Sequence, residues 1–142
     1  MLSLCLSGCE EMEALTKPDY ITVTVVCYVS VKATYAEYDT MPVVSALVRV
    51  RIVKAGGERV EENVDSDPNG NCKSVTATFK LYKEQNIDCY ANVDLLSTED
   101  NYPGFYFNSD RYTIKWSDIY PAIDFGGSTQ RVVRLTVIGF RN

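Results

Sequence analysis

From Tyr20 to Lys32 the chain alternates with a period of two. Ile21, Val23, Val25, Cys27, Val29 and Val31 fall on one side, and Thr22, Thr24, Tyr28, Ser30 and Lys32 on the other. Successive side chains of an extended backbone point to opposite faces, so this pattern suits a strand with one buried face and does not suit an amphipathic helix. It returns at Val44, Ala46, Val48, Val50 and Ile52, at Val75, Ala77, Phe79 and Leu81, at Ile87, Cys89, Ala91, Val93 and Leu95, and at Val133, Leu135 and Val137. Arg59 to Val64 reads as a polar strand at a sheet edge, where charge discourages pairing with other chains. Turn signals separate these segments: Gly56-Gly57, Asp65 to Asn71, and Tyr82 to Asn86. Tyr112, Ile114 and Trp116 supply one more short strand, and Ser117 to Tyr120 a single helical turn that Pro121 ends. Strands in this number without a long helix specify an all-β fold, a single antiparallel β-sandwich of about seven strands over residues 20–142.

A chain of 142 residues is long enough for one domain with a real core. It contains no His, which removes Ser-His-Asp and Cys-His catalysis, His-bearing zinc sites and imidazole pH switching. With 14 Lys+Arg against 19 Asp+Glu the net charge is -5, which opposes electrostatic attraction to nucleic acid or to an anionic bilayer. Glu61-Glu62 is an adjacent pair, and neighbours on a strand face opposite ways, so it cannot form one acid/base site. These exclusions favour binding over catalysis, and no enzyme activity is expected.

Three constellations remain as candidate sites. Asp65, Asp67 and Asn69, followed by Gly70, open like a calcium loop, in which alternate oxygen-bearing side chains on a bent backbone surround a hard cation. The final bidentate acid is missing, since Thr76 holds that place, and the same residues are ordinary β-turn formers. No other cofactor is suggested. Cys27 and Cys89 share the inward parity of their strands, so a disulfide across the sandwich and a pair of buried thiols both fit. Finally, Tyr102, Tyr106, Trp116 and Tyr120 stand among other aromatic residues with amides and carboxylates between them. Flat rings beside polar groups make a contact set for a glycan or a partner protein, and they also make ordinary packing.

The start of the chain carries an address. Leu6-Ser7-Gly8-Cys9 resembles the lipobox of bacterial lipoproteins, and the resemblance implies cleavage before Cys9 and lipidation of that Cys. On that resemblance residues 1–8 are expected to be the remnant of a truncated signal peptide, either because the chain starts at an internal Met of a longer gene or because it was trimmed. Residues 9–19 form an acidic tether, in which Glu10, Glu11 and Glu13 resemble the export signal that certain Gram-negative anaerobes use for surface lipoproteins. The implied location is the outer membrane, facing the cell surface or the periplasm, with attachment by lipid alone. The stretch from Val43 to Val93 resembles transthyretin-like or carboxypeptidase-regulatory-like sandwiches, a relation of the immunoglobulin-like kind that implies a non-catalytic accessory module. The expected function is a lipid-anchored surface or periplasmic module that binds a glycan or a partner protein. The alternative is a structural subunit of a surface fibre or envelope complex that assembles by strand addition.

Overall fold

The computed structural model describes residues 18–36 and 39–141, so the lipobox, Cys9 and most of the tether lie outside the described residues. The fold is all-β and consists of two sheets packed face to face. Its strands are β1 (Tyr20–Ala36), β2 (Asp39–Pro42), β3 (Leu47–Lys54), β4 (Arg59–Asp65), β5 (Val75–Tyr82), β6 (Ile87–Val93), β7 (Phe105–Ser109), β8 (Arg111–Ile114) and β9 (Ser128–Arg141). Two single helical turns, α1 (Leu95–Thr98) and α2 (Trp116–Ile119), interrupt them.

The first sheet runs β2-β1-β9-β7, with β5 also paired to β1. β1 is long enough to serve two partners along one side, β5 from Tyr20 to Cys27 and β2 from Lys32 to Ala36. The second sheet runs β4-β3-β6-β8. Every ladder is antiparallel except β1 with β9, whose register runs parallel from Thr22↔Ser128 to Ala33↔Gly139. The two longest strands are thereby bound along twelve register positions at the centre of one sheet. The described residues make nine strands instead of about seven. β2 is exposed throughout and carries no alternation, and β7 places rings on both faces, so neither announces itself as a half-buried strand.

The predicted inward faces close on one another. Ile21, Val23, Val25, Phe79, Leu81 and Leu135 from one sheet meet Val48, Val50, Ile52, Ile87 and Ala91 from the other, all at most 3% exposed. Each buried aliphatic or aromatic side chain contributes about 1.5–3 kcal/mol of transfer free energy, and this is the main favourable term.

In β8 Tyr112 is 52% exposed although Ile114 is buried, and Trp116 starts α2 instead of continuing that strand. Two further positions depart from the strict alternation, for local reasons. Val44 was expected inside, yet it is 40% exposed, while Val43 and Ala46 are fully buried. Ser45 between them takes a positive φ of 59°, which resets the phase before β3 begins. Ser66 holds this kink: its Oγ donates to the Val43 carbonyl at 2.6 Å and accepts from the Ala46 amide at 2.9 Å. Leu95 was expected to continue β6 on its inward face. Instead Asp94 accepts from the Leu96 amide at 3.0 Å and caps α1, leaving Leu95 52% exposed.

Candidate functional site

The chain enters the sandwich at Tyr20 and β1 carries it toward Tyr35, so these two residues mark opposite ends of the domain. Fifteen strand steps correspond to about 50 Å of extended chain. The four aromatic residues expected to form one contact set are divided by that length. Trp116 and Tyr120 lie at the Tyr20 end, where Gly126 donates to the Tyr20 carbonyl. There the Trp116 and Tyr120 rings stack at 5.3 Å and 15°, and Phe125 closes the cluster at 5.7 and 5.2 Å from them. The interplay of α2 with Pro121 explains the placement: Asp118 accepts from the Lys115 amide at 3.0 Å and the turn stops before Pro121. Because the rings face each other, much of their stacking surface is already used.

Tyr102 lies at the opposite end. It is 8% exposed, its hydroxyl donates to the Pro42 carbonyl at 3.3 Å, and its ring packs at 5.9 Å from Tyr35 and 5.6 Å from Phe105. Burial, and then the neighbouring Tyr35 hydroxyl, push its pKa up. Tyr106 stands apart from both groups, on the outer face of the first sheet, against Phe140 at 5.8 Å. The expected four-residue set is therefore not one site. Its physical reason is that sequence proximity between residues 102 and 120 spans β7, β8 and a change of sheet.

The Tyr102 end is the more apolar. α1 presents Leu95 and Leu96, the latter 80% exposed, and Tyr35, 52% exposed, packs 5.4 Å from the Phe105 ring. A shallow pocket of about 270 Å³ opens there between Leu95, Leu96, Glu99, Tyr102 and Phe105. Sequence reading placed Leu95 inside because its apolarity continues the β6 alternation, and it did not single out Leu96. Only the Asp94 cap signals the change.

Of the candidate cation ligands Asp65, Asp67 and Asn69, Asp67 has a local structural role. The Asp67 Oδ1 accepts from the Asn69 and Asn71 amides at 2.8 and 3.0 Å, so this carboxylate closes its own turn. Among the described residues no three or more acidic or Cys side chains gather as metal ligands. Gly70 completes the turn at φ +79°, against the Val31 carbonyl of β1. Of the two readings for the cysteines, the structure holds the thiols: Cys27, Cys72 and Cys89 are free and buried. Desolvation raises them to about 11, 11 and 12, so none is a thiolate nucleophile near neutral pH.

Several of the described carboxylates hold the fold. Asp88 accepts from Thr113 at 2.6 Å and pairs with Arg111 at 3.3 Å, Glu61 pairs with Arg51 at 2.9 Å, and Asp110 accepts from the Thr136 amide at 3.1 Å. No helix among the described residues is long and apolar enough to cross a membrane. No family model matches the chain, and no curated protein matches it.

Proposed function

We propose that this chain is a lipid-anchored, non-catalytic module of a bacterial outer membrane that holds a partner protein at the end of the sandwich remote from its anchor. The anchor rests on the Leu6-Ser7-Gly8-Cys9 motif. On this reading the tether would join the domain at Tyr20, at the end of β1 opposite Tyr35. The observation that carries the reading is the exposure of Leu95 and Leu96 at the pocket they line with Tyr102 and Phe105, two rings that also pack against exposed Tyr35. Contiguous apolar surface of this kind favours a protein partner. A glycan is less favoured there, because the Tyr35, Tyr102 and Phe105 rings pack on one another and few polar groups converge. A non-catalytic role is supported by the absence of His, the raised thiols and the structural use of several carboxylates.

A photo-crosslinking residue placed at Leu96 in the native host tests the partner, with the same residue at Glu61 on the outer face of the second sheet as control. One defined adduct from position 96, lost on Leu95→Ser, supports the proposal, and equal labelling from both positions refutes it. Cys9→Ala, by moving the protein out of the membrane fraction, tests the anchor separately.

The assembly role has one observation in its favour. β9 pairs with β7 only from Val137 onward, so Ser128 to Leu135 has β1 as its single strand partner. A second chain adding along that side would give oligomers in sedimentation, which a monomer at all concentrations contradicts.

A further inference from the structure

The outer face of the first sheet carries a second feature, separate from the Leu95–Leu96 end. Tyr28 of β1 and Arg134 of β9 are register partners, and the Arg134 guanidinium lies 4.8 Å from the centre of the Tyr28 ring. Two residues further along both strands Ser30 faces Thr136, and Asn71 bridges to Ser30 from the turn after β4. Together these residues line an open groove of about 510 Å³. The groove exists because β5 stops at Cys27 and β2 starts only at Lys32, leaving the middle of β1 bordered by a loop.

Arg134 makes no ion pair among the described residues, whereas Arg51, Arg59 and Arg111 on the other sheet are each matched to a carboxylate. The Tyr28 ring holds the guanidinium at cation–π distance, and a guanidinium so held can still pair with a planar anion through its N–H groups. One ring face is used by Arg134, and Tyr28 as a whole remains 39% exposed. Ser30, Thr136 and Asn71 add hydroxyl and amide groups beside it. Two acids border the groove: Asp67 on the loop, with two of its hydrogen bonds going to backbone amides, and Asp110, whose carboxylate accepts from the Thr136 amide at 3.1 Å. Lys32, one position beyond Ser30 on the same face, adds positive charge.

We propose that this groove binds a carboxylate-bearing saccharide, with Arg134 pairing to the carboxylate, Tyr28 packing on the sugar's C–H surface, and Ser30, Thr136 and Asn71 taking its hydroxyls. The combination selects this class: a guanidinium alone suits any carboxylate, but an exposed ring with two hydroxyls and an amide suits a polyhydroxylated ring.

The test is a titration of the folded protein, followed by backbone NMR, with a galacturonic acid trisaccharide, its methyl ester, and a Glu-rich peptide. The free acid is expected to shift Tyr28, Ser30, Arg134 and Thr136 signals with saturable binding, and the ester to bind at least tenfold more weakly because it cannot form the charge-assisted pair. Arg134→Gln should weaken the acid by about tenfold or more with no change for the ester, and Tyr28→Ala should weaken both. Arg49→Gln, on the opposite sheet, should leave binding unchanged. No shift at millimolar trisaccharide, equal binding of acid and ester, an Arg134→Gln variant that binds like the parent, or a preference for the peptide would each overturn the proposal.

Discussion

Ser66 Oγ donates a 2.6 Å hydrogen bond to the carbonyl of Val43, twenty-three residues earlier, and receives one from the Ala46 amide. The Ser45 and Ser66 backbones complete the clamp, with Ser45 N donating to the Ser66 carbonyl and Ser66 N to the Ala46 carbonyl. Ser66 is 5% exposed, so water cannot replace these contacts. Ser66→Ala strands a buried amide and carbonyl, and the expected cost is about 1–3 kcal/mol. Urea unfolding should show a lower midpoint at unchanged slope. A midpoint equal to the parent's would mean that the kink holds itself.

Gly70 and Gly104 both have positive φ, +79° and +76°, but only Gly70 is crowded. A Cβ on Gly70 would stand 2.5 Å from the Val31 carbonyl oxygen, whereas one on Gly104 meets nothing within 4 Å. Gly104→Ala should cost about 1–2 kcal/mol for the backbone conformation alone. Gly70→Ala should cost about 2–4 kcal/mol, since it also pushes the turn off β1. Equal losses in thermal unfolding would show that the turn can move away freely.

Gly139 of β9 lies opposite Phe107 of β7, and the ring covers the space a side chain would need. Gly139→Ala is expected to cost about 1–3 kcal/mol through displacement of that ring. In the Phe107→Leu background the same change should cost less, and a double-mutant cycle measures the difference. Strict additivity would refute the contact as the cause.

Cys27, Cys72 and Cys89 have thiols raised from 9.0 to about 11, 11 and 12, the first cause in each case being burial. The folded state keeps their protons where the unfolded chain loses them. Their contribution is therefore fully present below about pH 9 and is lost as pH rises through 11 to 12. Stability should fall on alkaline titration, and Cys89→Ala should flatten that fall. Iodoacetamide at pH 8 should spare all three thiols until denaturant is added, as read by intact mass. Labelling of the native protein at these positions would show that the core opens.

The strands with one buried face were legible because burial and period coincide in them. Ile21 to Val31, Val48 to Ile52, Val75 to Leu81 and Ile87 to Ala91 each face inward as their alternation requires. Where a short-range hydrogen bond outweighs the period, the pattern misleads: Asp94 turns Leu95 outward, and Ser66 with Ser45 turns Val44 outward. The candidate site was less legible. Trp116 and Tyr120 do meet, since they are one helical turn apart, while Tyr102 is separated from them by the length of β1.

Local chemistry in the chain therefore determined which residues are strands, which faces are buried and where the turns fall, because each depends on neighbours a few positions away. Strand order, the parallel union of β1 with β9, and the meeting of Tyr28 with Arg134 were decided by tertiary structure. Those pairings join residues about a hundred positions apart, and which of several similar apolar strands lie side by side depends on the closure of the whole core.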